Sequence, residues 1–175
     1  MKNLVVVIAF LMASTVSFAQ GAFDKFEDKE GVATVVVNKK MFEMMSKVKV
    51  DAKDKEMQQY MNLLKKLDNL KVFTTSNAKI SSDMKATVNS YLKSNPLEEL
   101  MRVNGDGKNV KIYVKSGANE NIVRELLMFI EGANMKDAST VVLSLTGNFS
   151  LDEISVLTEK MSLPGGDDLK KASKK

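Results

Sequence analysis

Histidine and cysteine, the residues that carry most side-chain catalysis and hold most transition metals, are both missing from these 175 residues. Imidazole and thiolate zinc sites, Ser-His-Asp triads and Cys-His pairs are therefore closed to the chain. Carboxylate, lysine, serine, tyrosine and methionine chemistry remains. A serine activated by lysine needs the spacing S-x-x-K, for which Ser46-Lys49, Ser82-Lys85 and Ser90-Lys93 are candidates. In a chain with 26 basic residues the spacing arises cheaply, and no S-D-N or K-T-G triplet accompanies it. All three read as solvated helix faces.

Paired carboxylates can exchange protons with a substrate or hold a hard cation, and Glu98-Glu99, Asp152-Glu153 and Asp167-Asp168 are adjacent pairs. Neighbours in sequence diverge on a helix or strand, so none of these pairs converges on one substrate. Asp152 and Glu153 suit the first turn of a helix, where negative charge meets the positive end of the macrodipole. The loop Asn104-Gly105-Asp106-Gly107 lacks the ligands and closing glutamate of a calcium loop. Among twelve methionines, Met41, Met44 and Met45 cluster in a way that suits soft Cu(I) ligation. Core filling by an unbranched side chain is the simpler reading. Lys111, Tyr113 and Lys115, with Arg102 nearby, read as the solvated face of a sheet whose charges also discourage edge aggregation. No residue is assigned a catalytic, cofactor-binding or metal-binding role, and no cofactor is expected.

The elements that would position any of these groups are organised around a hairpin. Leu97–Val103, the turn Asn104-Gly105-Asp106-Gly107 and Lys108–Lys115 combine β-type runs with two glycines suited to positive φ. In the second arm Val110, Ile112 and Val114 alternate with Lys111, Tyr113 and Lys115, the period of a half-buried strand. In the first arm Met101 and Val103 share a face with Leu97 and Glu99, and Pro96 sits at its start.

Upstream, Phe23 and Phe26 belong to a short amphipathic lead-in that ends at Gly31. Val32–Val37 is β-branched almost throughout, which predicts a strand buried on both faces. Asn38 caps a helix carrying Met41, Phe42, Met45 and Val48. A second helix presents Met57, Tyr60, Met61, Leu64 and Leu67 at helical spacing. Leu70–Thr75 is a strand. The next helix, capped by Ser81 or Ser82, carries Met84, Val88, Tyr91 and Leu92 and stops at Pro96.

Beyond the hairpin, Ile122–Ile130 reads either as a helix, with Ile122, Leu126 and Phe129 on one face and Gly132 as C-cap, or as a strand, and intrinsic propensity leans towards helix. A helix would give a ferredoxin-like βαββαβ order from Leu70 to Gly147, and a strand a four-stranded meander. Ser139–Thr146 is a strand that Gly147 ends. Ser150 and Glu153 form a capping box, with Phe149 stapled to Ile154, for a last helix carrying Leu151, Ile154, Leu157 and Met161.

The chain opens with Met1-Lys2-Asn3, an apolar run from Leu4 to Met12, and small residues at Ser17 and Ala19. This is the pattern of a signal peptide, residues 1–19, cleaved after Ala19. A single domain over 20–163 and a basic, disordered tail over 164–175 follow. The mature chain is expected to be soluble and without a membrane span, in a periplasm or outside the cell. The formal net charge is +4, and residues 164–175 alone hold four lysines against two aspartates. A body so close to neutral speaks against nucleic acid, which demands a basic face. Without cysteine, the domain must be held by its core.

The segments ELMRV, the glycine turn, VKIYVK, RELLMFIEG and VVLSLTGNFSLDEISVLTEKM together resemble a Bacteroidetes-type family of exported proteins catalogued as domain of unknown function 4252. The resemblance spans residues 30–162 and is most specific from Glu99 to Leu157. It implies that RELLMFIEG is a strand in an antiparallel run. It supplies no catalytic residues. Some such proteins are lipoproteins, but this chain has no cysteine to carry the lipid. The expected fold is therefore α+β: a mainly antiparallel sheet, with a C-terminal meander of about four strands and one or two N-terminal strands, packed against three to four helices. The expected function is a non-enzymatic module for an envelope protein or apolar ligand. Two alternatives stand beside it. A carboxylate-dependent hydrolase needs Asp or Glu from two elements in one pocket; a methionine-based metal carrier needs three sulfurs turned to one point.

Overall fold

The computed structural model describes residues 21–51, 53–105, 107–119, 121–132, 140–162 and 164–168. The expected signal peptide, residues 1–19, and Asp106 of the hairpin turn fall outside that set. Six strands form one wholly antiparallel sheet in the order β1-β2-β6-β5-β4-β3. They are β1 (Ala33–Asn38), β2 (Leu67–Thr75), β3 (Glu98–Gly105), β4 (Lys108–Ser116), β5 (Val123–Gly132) and β6 (Thr140–Phe149). Among the described residues the longer α-helices are α1 (Lys39–Met45), α2 (Lys55–Leu64), α3 (Ala78–Ser94) and α4 (Leu151–Lys160). The α+β expectation of a four-stranded meander plus two N-terminal strands is met by β3 to β6 with β1 and β2. The ferredoxin-like alternative falls, because residues 123–132 are a strand.

Helices cover both faces of the sheet. On one face Phe42 of α1, Tyr60, Leu63 and Leu64 of α2, and Ile154 and Leu157 of α4 pack on Leu70, Val72, Ile112, Met128, Leu143 and Leu145. On the other, Ile80, Met84, Val88 and Tyr91 of α3 join Phe23 and Phe26 against Phe73, Leu127, Phe129 and Val142. Double coverage explains why β5 reads as an unbroken apolar run: Leu126, Met128 and Ile130 enter one core while Leu127 and Phe129 enter the other.

Several boundaries differ from expectation, each for a local reason. β2 begins at Leu67, which the helical spacing had assigned to the preceding helix; α2 stops at Leu64, and Leu67 enters the same core as a strand residue. The cap of α3 is Asn77, one turn before Ser81. Its Oδ1 accepts from the N–H groups of Lys79 and Ile80 at 3.0 and 3.2 Å. That helix ends at Ser94, and Asn95 before Pro96 is extended at φ −125°. A register shift between Glu99 and Met101 inserts Leu100, so Glu99 opposes Tyr113 whereas Met101 opposes Ile112. Glu99 and Leu97 are thus on the opposite face from Met101 and Val103.

Gly147 does not end β6, which continues to Phe149. The glycine permits a close crossing instead: a Cβ there would lie 3.0 Å from Leu67 Cα and closer still to the Lys66 carbonyl oxygen. The most consequential difference concerns β1, expected to be buried on both faces. It is an edge strand, with Val35 and Val36 exposed. Finally, the start of the expected tail lies on the sheet. Asp168 is buried and accepts from Lys108 Nζ at 2.5 Å, while Gly165 approaches Met128 and Ile130.

Candidate functional site

The residues singled out for chemistry are dispersed. Ser46 closes α1 and donates to the Glu43 carbonyl at 2.9 Å. Ser82 and Ser90 are exposed on α3, and Lys85 pairs with Glu131 at 3.0 Å. Among the described residues no Ser–Lys hydrogen bond forms within any of these three S-x-x-K segments. Glu99 is engaged by Arg102 through two hydrogen bonds of 2.9 and 2.6 Å, an Arg–carboxylate fork that holds its carboxyl below the usual range. Asp168 is held by Lys108. Met41 and Met44 are exposed, whereas Met45 packs into the core beneath α1. Of the row Lys111, Tyr113, Lys115, the Tyr113 ring packs half-buried against the core under α3, Lys111 is half-buried, and Lys115 is exposed as a solvated face requires.

Sequence reasoning missed a polar cavity under α3. The register aligns Lys71 of β2 with Ser144 of β6, and Asn69 with Thr146, which in turn opposes Glu125 of β5. Five polar residues so distant in sequence meet on one patch of sheet because three strands align. Phe23 and Tyr91 roof the patch, enclosing about 30 Å³. Glu125 is only 7% exposed and accepts a hydrogen bond from the Tyr91 hydroxyl. Burial first, and the carboxylate second, push the Tyr91 phenol well above its ordinary range. For Lys71, burial would depress the ammonium, but the Asp24 and Glu27 carboxylates outweigh it and raise the pKa.

Two of the lining atoms, Asn69 Oδ1 and Thr146 Oγ1, are buried without a hydrogen-bond partner. A space of this size suits a water molecule that bridges such atoms, not an organic substrate. The alternation of polar Ser144 and Thr146 within the apolar β6 run was the one sequence signal that pointed here.

A second depression, an open groove of about 610 Å³ between α2 and α4, is lined by Gln59, Asn62, Lys65, Lys66, Asp152, Glu153 and Val156. Its one short ion pair joins Lys66 to Glu153 at 2.5 Å, and the Glu153 carboxylate also accepts from the Ser150 N–H at 2.9 Å, the reach-back half of the expected capping box. Burial raises the Glu153 pKa, but these two donors prevail and lower it. Neither depression brings together carboxylates from two elements: the cavity offers Glu125 alone, and the groove offers two neighbours of one helical turn. Among the described residues no group of three or more Asp or Glu side chains is placed to hold a metal ion.

Among the described residues, the exposed large hydrophobic side chains lie on and beside β1 and α1. Val35 and Val36 of β1, with Met41 and Met44 of α1 and Val48 just beyond it, are 45 to 60% exposed. Met41 and Met44 fall at i and i+3 on α1, beside the buried Phe42 and the half-buried Met45, and Val48 follows just past the helix end. The outer backbone groups of β1 have no partner strand in this sheet. The opposite edge is protected: β3 carries Glu98, Glu99 and Arg102, contains the register shift at Leu100, and follows Pro96. β1 has neither charge nor register shift. No described helix is long and apolar enough to cross a membrane.

Comparison with known proteins returns one finding. The family model described as Domain of unknown function (DUF4252) matches residues 26–157, from the lead-in through most of α4. No curated protein and no solved structure matches the chain.

Proposed function

We propose a function from geometry, since the chain belongs to the family described as Domain of unknown function (DUF4252), a description that names no reaction, substrate or partner. The protein is a non-enzymatic interaction module, exported by its leader, that docks protein in the cell envelope along β1 and α1. One observation carries the reading: an uncharged, uninterrupted edge strand beside exposed methionines and valine. An edge of this kind binds by strand addition, in which main-chain hydrogen bonds supply affinity and the flanking apolar side chains supply area. Neither of the two depressions described above brings convergent acids together among the described residues, so neither supports a carboxylate hydrolase. A methionine carrier finds no support either, with Met45 turned into the core away from its exposed neighbours.

The test is site-specific photocrosslinking in living cells, with a photoreactive side chain at Val36 and, as control, at Lys93 on α3. Protein adducts at Val36 and none at Lys93 are expected. No adduct at Val36, or equal labelling at both positions, refutes the reading.

A further inference from the structure

We infer that the protein docked on β1 is a second copy of this chain, paired strand to strand about a two-fold axis, so that two six-stranded sheets become one. The inference rests on the interaction reading above and names its partner. In an antiparallel pair, residues opposite one another must point to the same face of the sheet. For two copies of one strand this restricts the register to those centred on a residue. The register centred on Val35 places Val35 against Val35, Ala33 against Val37, and Thr34 against Val36.

Charge selects the same arrangement. β1 is neutral, but exposed Asp28 and Glu30 precede it, with Lys29 between them turned to Asp83, and exposed Lys39 and Lys40 follow it, Lys39 paired with Asp68. Glu30 lies in the turn before Gly31 and Lys40 in the first turn of α1, just outside the strand at either end, so an antiparallel pairing about Val35 brings the acidic end of each copy beside the basic end of the other. A parallel pairing would bring like charges together at both ends. The two-fold also brings Met41, Met44 and Val48 of both copies to one side of the junction, because α1 lies on the same face as Val35 and Val37. A closed two-fold contact uses both edges once and leaves the guarded β3 strands outermost, so growth stops at two copies.

The test uses residues 20–175. Sedimentation velocity across a concentration series is expected to show a monomer–dimer equilibrium. Val35→Lys, a change at a side chain already exposed in the single chain, should raise the dimer dissociation constant at least tenfold. Lys40→Glu should weaken the dimer by setting Glu30 against a new acid, and adding Glu30→Lys should restore it. Because the chain has no native cysteine, Val35→Cys should form a disulfide-linked dimer under mild oxidation, whereas Glu99→Cys on the opposite edge should not. A chain that remains monomeric, or a charge swap that fails to restore association, overturns the inference. If that monomer still yields adducts to another protein at Val36, the interaction reading survives and only the identity of the partner is wrong. If it yields none, both fall.

Discussion

Replacing Gly147 by alanine tests the packing logic of the sheet at its tightest crossing. The added methyl would meet backbone, not a yielding side-chain tip: the Lys66 carbonyl oxygen, Leu67 Cα at 3.0 Å, and then Phe149 Cδ1 at 3.2 Å. The Lys66 carbonyl also accepts from the Asn148 N–H at 2.8 Å, so moving it strains the junction of α2 and β2 with β6. Overpacking a tight interior costs about 1–3 kcal/mol, and a backbone obstacle belongs at the upper end. Against this, alanine restricts the unfolded chain and returns roughly 0.4–1 kcal/mol. The net loss is about 2 kcal/mol, equivalent to a fall in Tm of roughly 4–8 °C for a domain of this size.

Gly105→Ala is the matched control, since nothing lies within 4 Å of the point its methyl would occupy and its φ is not positive. Here the same entropic gain, roughly 0.4–1 kcal/mol, should stand unopposed. Thermal and urea denaturation followed by circular dichroism should therefore move the two variants in opposite directions, with m unchanged. A Gly147→Ala variant as stable as the parent, or one whose shift matches that of Gly105→Ala, would show that steric crossing is not what the glycine provides.

Two further outcomes follow from the polar groups. Tyr91→Phe removes the donor to buried Glu125; leaving a buried acceptor unsatisfied costs about 1–3 kcal/mol, and a loss below about 0.5 kcal/mol in urea unfolding would contradict the burial of that carboxylate. Glu153 has a folded pKa below its ordinary value of about 4.3. Its contribution to stability is thus complete above that ordinary value and is lost as pH falls through the folded pKa. Urea midpoints measured from pH 7 to pH 3 should decline less steeply for Glu153→Gln than for the parent, and parallel curves would refute the assignment.

Much of the architecture was legible where local chemistry decides it. The Asn104–Gly107 turn between alternating arms produced the β3–β4 hairpin, with Gly107 at φ 75°. Asn38 caps α1 through a 3.0 Å bond from the Met41 N–H. What failed was anything decided by neighbours distant in sequence. RELLMFI has no period because both its faces are buried, so only family resemblance identified it as a strand. VATVVV misled for a related reason: a β-branched run is compatible with a central strand and with an unguarded edge, and the sheet order separates the two. Leu67 kept the helical spacing of α2 while entering the same core from a strand. The cavity under α3 was illegible because Asn69, Glu125 and Thr146 become neighbours only through register.

The position of β6 also dictates the order in which the sheet can be assembled. β1 pairs with β2, and β3 with β4, between segments synthesised close together. β2, however, completes its second ladder only with β6, from Thr75–Thr140 to Leu67–Gly147. Closing so long an intervening chain carries its entropy cost before the new contacts offset it. The strand that unites the two halves is thus the last to be made, and a chain threaded outward from its N-terminus cannot complete its own centre until residue 149 has emerged.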